Sequence, residues 1–153
     1  MFKNRLRINA LPLKLVATLF LIACCNLLYA QAPAASAIVQ FSNGQTVTLT
    51  DFSSPIGIQA TELITVTVQF GASSAGNPIA VDALDGGSTS VGSSLPVAGP
   101  DGSITFQFLA TSDAGRNLVT VRSGPSSVSL QLWVMDSENP QNNPSNLVAV
   151  SHG

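Results

Sequence analysis

Carboxylates are the side chains of this chain that could carry acid–base or metal chemistry, and several fall where the chain is predicted to turn. Asp82 and Asp85 end one apolar run, Asp101 stands in an Asp-Gly pair, and Asp113 precedes another run. Two carboxylates are enough for glycoside hydrolysis, and Ca²⁺ takes carboxylate oxygens from loops. Asp is also favoured in turns for its own backbone hydrogen bonds. The spacing matches no calcium-loop motif, so turn chemistry is favoured, with Asp82, Asp85 and Asp101 as candidate calcium ligands.

The remaining reactive groups argue against catalysis. His152 is the one histidine and lies within the last three residues, where nothing would position it as a general base. After residue 30 the sequence has no cysteine, tyrosine or lysine, and it contains no nucleophile-elbow, zinc-protease or phosphate-loop motif. We therefore predict no catalytic residues, no enzyme activity and no cofactor.

Trp133 is the candidate binding residue. In the alternating run that contains them, Leu132 and Val134 lie on the inward side, so Trp133 between them lies on the outward side. An outward aromatic ring on a sheet can stack on a sugar or anchor a partner protein. The alternative is that the N-terminal segment or the C-terminal tail covers the ring.

The first 30 residues have the pattern of a secretory signal peptide. Basic residues precede an apolar run at 15–25, which is shorter than the ~20 residues that a spanning helix needs. Ala30 is placed for cleavage before Gln31. Alternatively, residues 21–24 (LIAC) resemble a lipobox, in which Cys24 is acylated. We expect an extracytoplasmic protein, secreted, periplasmic or on the cell surface, that is either released after Ala30 or anchored to the envelope by a lipid on Cys24.

Removal of that segment would leave an acidic chain. Arg116 and Arg122 would face eight acidic residues, which gives a net charge of −6. Two arginines cannot form the basic patch that a phosphate backbone or an anionic membrane requires. We therefore exclude nucleic acid and expect an unknown protein or glycan partner, with membrane contact only through a lipid on Cys24.

Hydrophobic alternation with a period of two recurs along the chain and predicts β-strands. The clearest run is 62–70, in which every second residue from Ile64 to Phe70 is apolar. Further strands are predicted at 78–85, 103–108, 116–121 and 127–135, with one or two before Asp51 and a short edge strand at 90–91. Asn43-Gly44 predicts a type I′ hairpin turn. Residues 51–60 contain Pro55 and Gly57 and predict an irregular crossing.

About seven strands, with turn signals roughly every 8–12 residues, predict an all-β fold, an antiparallel Ig-like β-sandwich. The predicted organisation is a signal-peptide helix at 1–30, a flexible leader at 31–37 and the sandwich at 38–135. Residues 136–153 begin with acids, amides and two prolines, a composition that predicts a disordered tail.

The order of these motifs resembles bacterial Ig-like domains of surface adhesins and multidomain secreted proteins. The matching residues are Gly76-Asn77-Pro78-Ile79, Leu84-Asp85-Gly86-Gly87, Asp101-Gly102, Phe106, Ala114-Gly115, Val119, Thr120, Val121 and Trp133. The chain departs from the family in having one such domain, where tandem arrays are usual, and it lacks the cysteine pair of antibody domains. The resemblance implies an extracytoplasmic module that binds a partner, or alternatively a spacer or assembly component of the cell envelope.

Overall fold

The computed structural model describes residues 35–91 and 96–152, and these residues form nine β-strands and two short 3-10 helices. The strands are β1 (Ser36–Gln40), β2 (Thr46–Leu49), β3 (Ile56–Ile58), β4 (Leu63–Gln69), β5 (Ile79–Leu84), β6 (Ser88–Thr89), β7 (Ser103–Leu109), β8 (Gly115–Ser123) and β9 (Ser126–Val134). The 3-10 helices are Ala72–Ser74 and Pro140–Asn142. Within the described ranges, no helix is long and apolar enough to cross a membrane. The predicted signal-peptide helix and Cys24 lie outside the described residues.

The strands pair into two sheets that pack face to face. The first sheet has the order β2-β1-β4-β7-β6, and the second has the order β3-β9-β8-β5. The pairings are antiparallel except that of β3 with β9, which is parallel. In the first sheet, β1, β4, β7 and β6 correspond in order to strands A, B, E and D of an Ig domain. In the second sheet, β5, β8 and β9 correspond to strands C, F and G. The predicted all-β, two-sheet Ig-like sandwich is therefore confirmed, with nine strands in the described part of the chain instead of about seven.

One apolar core lies between the sheets, and the period-two alternation builds it. In β4, Ile64, Val66 and Val68 are at most 1% exposed, and the residues between them face outward. Other fully buried side chains of the two sheets are Val39, Ile79, Phe108, Val119, Val121, Leu130 and Leu132. Burial of each such side chain stabilises the fold by about 1.5–3 kcal/mol. Both cysteines precede residue 35, so burial, with no disulfide within 35–152, holds the sandwich together.

The predicted hairpin of β1 and β2 is confirmed, but its turn is not of type I′. That turn needs positive φ at both central residues, and of the pair Asn43-Gly44 only Gly44 has it, at 85°. Phe41 O accepts a hydrogen bond from Gly44 N–H at 3.0 Å, and Phe41 N–H donates to Gln45 O at 2.9 Å. Asn43 instead accepts the Gln45 N–H with its side-chain oxygen, which stabilises the longer turn.

Most predicted strands agree with the structure to within two residues at each end, and three parts of the strand pattern differ in other ways. β1 begins at Ser36, so the end of the predicted leader 31–37 belongs to the sandwich. β3 lies within the predicted irregular crossing, because a strand of only three residues that contains Gly57 leaves no alternating pattern to detect. The short edge strand β6 lies at Ser88–Thr89, two residues before the predicted position.

The structure also corrects the predicted disordered tail at 136–153 for the residues that it describes. Residues 147–151, here called the C-terminal segment, run parallel to the free edge of β3, with a bridge between Val150 and Gly57. Three backbone hydrogen bonds hold the segment: Val148 N–H to Pro55 O at 3.0 Å, Gly57 N–H to Ala149 O at 2.8 Å, and Ser151 N–H to Gly57 O at 2.9 Å. Composition does not predict this order, because the backbone groups that satisfy each other lie far apart in sequence.

Leu132→Ala tests the inward face of β9. We expect the free energy of unfolding to fall by about 2–5 kcal/mol, because Leu132 is fully buried and its truncation leaves a cavity. Leu84→Ala on β5 is the matched control: Leu84 is 48% exposed, and its loss should cost less than ~1 kcal/mol. Urea denaturation measures both changes. Equal losses in the two variants would contradict this assignment of the core.

Candidate functional site

The outer side of the first sheet, here called the first-sheet face, carries no charged residue on its strands. Its outward side chains are hydroxyls, amides and aliphatics: Ser36, Ile38, Gln40, Thr46, Thr48, Leu63, Thr65, Thr67, Gln69, Ser103, Thr105, Gln107 and Leu109. Because register partners on neighbouring strands share a face, these side chains lie side by side across the sheet.

Two rows of threonine and glutamine cross the middle of the first-sheet face. One row consists of Thr48, Ile38, Thr67 and Thr105, and the next consists of Thr46, Gln40, Thr65 and Gln107. The hydroxyls of Thr67 and Thr105 hydrogen-bond to each other at 2.8 Å, which orients both side chains. Ile38 is 46% exposed in the centre of this array. The face therefore combines hydrogen-bonding groups with small apolar patches.

Trp133 lies on the outer side of the second sheet, where its parity predicts it, and is half-buried. Its register partners are Gly57 on β3 and Arg116 on β8. Two residues earlier on the same side, Gln131 donates hydrogen bonds to the carbonyls of Phe52 and Ser53, so the crossing after β2 covers part of this face. The Trp133 ring is neither fully covered nor fully exposed, and its role in binding stays a prediction.

Two of the candidate calcium ligands form ion pairs on the second sheet. Asp82 pairs with Arg122 at 2.5 Å, and Asp85 pairs with Arg116 at 2.7 Å. All four side chains are about half-exposed, so each pair contributes ~0–1 kcal/mol. These pairs join the edge strand β5 and the turn after it to β8, so both arginines within residues 35–152 have partners.

Asp101 lies at the opposite end of the sandwich from Asp85. β7 begins two residues after Asp101 and ends at Leu109, which pairs with Ser88 just beyond Asp85. The Ser103 hydroxyl, and then the Ser103 N–H, donate to the Asp101 carboxylate and lower its pKa. In residues 35–91 and 96–152 no three His, Cys, Asp or Glu side chains are grouped as a metal site requires. The geometry therefore assigns these three carboxylates to ion pairs and a turn.

The other groups considered for catalysis lie near the C-terminal part of the chain. Asp113 lines an open cleft of about 450 Å³ together with Asp136 and Glu138. The Asn139 N–H and then the Asn142 side chain hold the pKa of Asp136 below its ordinary value, so that carboxyl is unsuited to donate a proton. His152 is exposed, and its backbone carbonyl accepts a hydrogen bond from the Asn43 side chain.

Glu62 was not singled out from the sequence, yet among the described residues it is the carboxylate that accepts the most hydrogen bonds. It is 6% exposed. Its oxygens accept hydrogen bonds from Ser42 N–H at 3.2 Å, Ser42 Oγ at 2.8 Å, Gln59 N–H at 2.8 Å and Ser151 Oγ at 2.7 Å. These donors belong to the turn after β1, the end of β3 and the C-terminal segment. Glu62 therefore joins three parts of the chain that are remote in sequence.

The pKa of Glu62 is set by two opposing effects. Burial disfavours the charged carboxylate and acts to raise the pKa, but hydrogen bonds from Gln59, Ser151 and Ser42 outweigh it, and the pKa lies below its ordinary value. The folded state therefore favours the charged form, and the charge holds its hydrogen-bond donors in place.

The sequence contains a signal for one of the two missed features. The outward positions of the first-sheet strands are occupied only by Ser, Thr, Gln, Ile and Leu. This pattern indicates a sheet face whose strands carry no charge. The role of Glu62 has no such signal, because its partner Ser151 is 89 residues away and lies in a stretch that is not predicted to fold.

No protein-family profile and no curated protein matches the chain. Two solved structures are similar. The "D00-D0 domain of Intimin" has a TM-score of 0.43 and 15% identity, and the match covers 71% of this chain and 52% of that chain. The "D0-D1 domain of Intimin" has a TM-score of 0.38 and 16% identity, and the match covers 65% of this chain and 47% of that chain. The likeness is one of fold. This chain spans about half the length of those structures, and it is similar to intimin's bacterial Ig-like domains as a two-sheet β-sandwich.

Glu62→Ala and Glu62→Gln test the buried carboxylate. We expect Glu62→Ala to lower the free energy of unfolding by about 2–4 kcal/mol, because several buried donors lose their acceptor. The folded pKa lies below the unfolded value of about 4.3, so the stabilisation is full above that pH and is lost as the pH falls through the folded pKa. Wild-type stability should therefore fall more steeply below about pH 4.3 than that of Glu62→Gln.

Urea denaturation between pH 7 and pH 3 measures these slopes. Glu138→Gln, which removes an exposed carboxylate, is the control and should follow the wild-type curve. Coincident pH curves for wild type and Glu62→Gln would show that the charge contributes nothing.

Proposed function

We propose that this chain is a non-catalytic, extracytoplasmic binding module that recognises a neutral glycan through the first-sheet face. The observation that carries the proposal is the distribution of charge over the two sheets. No strand of the first sheet contains a charged residue, whereas Asp82, Arg116 and Arg122 all lie on strands of the second sheet. An acidic chain that keeps one whole sheet neutral presents a surface suited to a neutral partner.

The chemistry of the face favours a glycan over a protein partner. Threonine hydroxyls and glutamine amides both donate and accept hydrogen bonds, as sugar hydroxyls do. Ile38, Leu63 and Leu109 are each more than 40% exposed and offer apolar contact to the C–H faces of sugar rings. Protein interfaces usually depend on buried aromatic or arginine anchors, and the first-sheet strands present neither outward.

The extracytoplasmic location is supported by the pattern of residues 1–30, which is that of a secretory signal peptide. The sandwich contains no cysteine, so it needs no oxidising compartment to fold. Release after Ala30 and lipid attachment at Cys24 would both put the first-sheet face outside the cytoplasm. A role as an envelope spacer is the alternative, and binding data separate the two functions.

Thr67→Arg tests the first-sheet face at its centre. The variant places a charge and a long side chain among hydroxyls, and we expect at least a tenfold loss of binding to immobilised neutral polysaccharides. Thr120→Arg is the matched control, because Thr120 is a half-buried threonine in the middle of β8, on the outer side of the second sheet. Biolayer interferometry against a panel of neutral and anionic polysaccharides is the measurement, with Trp133→Ala included to probe the second sheet.

Salt dependence gives an independent readout. Binding through a neutral face should change less than twofold between low and high NaCl, because no ion pair is screened. Binding that Thr67→Arg leaves intact, or that Trp133→Ala or Thr120→Arg abolishes, would move the site to the second sheet. If the protein binds none of the polysaccharides in the panel, the result would favour the alternative function of an envelope spacer.

A further inference from the structure

The groove that holds the C-terminal segment is a strand-binding site. On one side of the segment, β3 supplies the carbonyls of Pro55 and Gly57 and the N–H of Gly57. On the other side, β2 and the turn before it contribute Phe41 and Val47, which line an open cleft of about 360 Å³ with Ala149 and Val150. The segment therefore lies between the edge of the first sheet and the edge of the second.

Side-chain contacts make the site selective for this segment. A Cβ added at Gly57 would lie 2.8 Å from Met135 Sδ, 3.3 Å from Val150 Cγ2 and 3.4 Å from Leu147 Cδ1, so the glycine admits the segment. Ser151 is 1% exposed, with its hydroxyl on Glu62 and its carbonyl accepting from the Gln59 side chain at 2.9 Å. A partner strand must therefore carry a small hydrogen-bonding residue at that position.

The connection to this segment makes no hydrogen bond to the sheets. Residues 136–146, here called the linker, make hydrogen bonds only among themselves in the described structure, mainly through Asp136 with Asn139, Asn142 and Asn143. No contact of the groove requires that the segment come from the same molecule. An extended linker of this length reaches about 36 Å, which is ample for docking on a neighbouring copy.

We propose that the groove also accepts the C-terminal segment of a second copy of this chain, which produces a reciprocal, strand-swapped dimer. The occupant is identified by the sequence already seated there, and a swap keeps every groove contact while exchanging its source. Two reciprocal swaps close on each other with twofold symmetry and leave no unpaired groove. The dimer joins two binding modules without using the first-sheet face.

Linker length decides between the two states. β9 and the segment both run parallel to β3, so the linker must return along the strand and cross two strand spacings, a separation of roughly 15–20 Å. A variant lacking residues 137–145 keeps residues 136 and 146, and the three Cα–Cα steps from Met135 to Leu147 then reach about 11 Å. Such a linker cannot seat the segment in its own groove, but it can seat it in a neighbour's.

Light scattering after size-exclusion chromatography tests the proposal on the chain from residue 31. We expect the shortened variant to be at least 80% dimer at ~100 µM, and a variant with residues 137–145 replaced by Gly and Ser at equal length to show, like the native chain, a smaller dimer fraction. Ser151→Asp in the shortened variant sets a carboxylate against Glu62 and should restore the monomer, with the circular dichroism spectrum showing that the sandwich is folded.

Two results would overturn the proposal. One is a shortened variant that stays monomeric at ~1 mM while folded. The other is a dimer that persists with Ser151→Asp, which would locate the interface elsewhere on the domain.

Discussion

A buried carboxylate at Glu62 is the interaction on which closure of this sandwich depends. Two sheets packed face to face leave an open side wherever the last strands of both sheets stop, here along β2 and β3. Glu62 lies at that side and accepts hydrogen bonds from Ser42, Gln59 and Ser151. A charge removed from water is tolerated only when such donors replace the water. Because the buried Glu62 carboxylate needs these donors, it holds together the turn after β1, the end of β3 and the C-terminal segment.

A free strand edge can pair with other chains, and edge strands of the two sheets are protected from such pairing in different ways. The C-terminal segment covers β3, and at the far side of the first sheet β6 is only two residues long. The other edge of the second sheet, β5, carries Asp82 and is followed by Asp85, and their ion pairs place charge along it. Within the part of the chain that the structure describes, the first-sheet face is the broad surface whose strands carry no charge, which is why binding is proposed there.

The layered fold follows from the sequence because burial acts on every second residue, as in Ile64, Val66 and Val68. Elements that depend on remote partners do not follow from it. β3 is too short to alternate and exists because β9 and the C-terminal segment pair with it on both sides. Trp133 is placed on the predicted side, but its half-burial depends on neighbouring chain segments. The outward residues of the first-sheet strands predict the candidate site there, whereas the sequence does not predict that Glu62 is buried and hydrogen-bonded to remote residues.

The central claim is that the C-terminal segment pairs with β3 as an ordered part of the sandwich. Amide hydrogen exchange at Gly57 and Ser151 tests it most directly, because Gly57 N–H donates to Ala149 and Ser151 N–H donates to Gly57. The account predicts that both amides are protected to an extent comparable to Met135 N–H, which donates to Ile58 within the sheet. Exchange of Gly57 and Ser151 at the rate of an unfolded chain, with Met135 still protected, would contradict it.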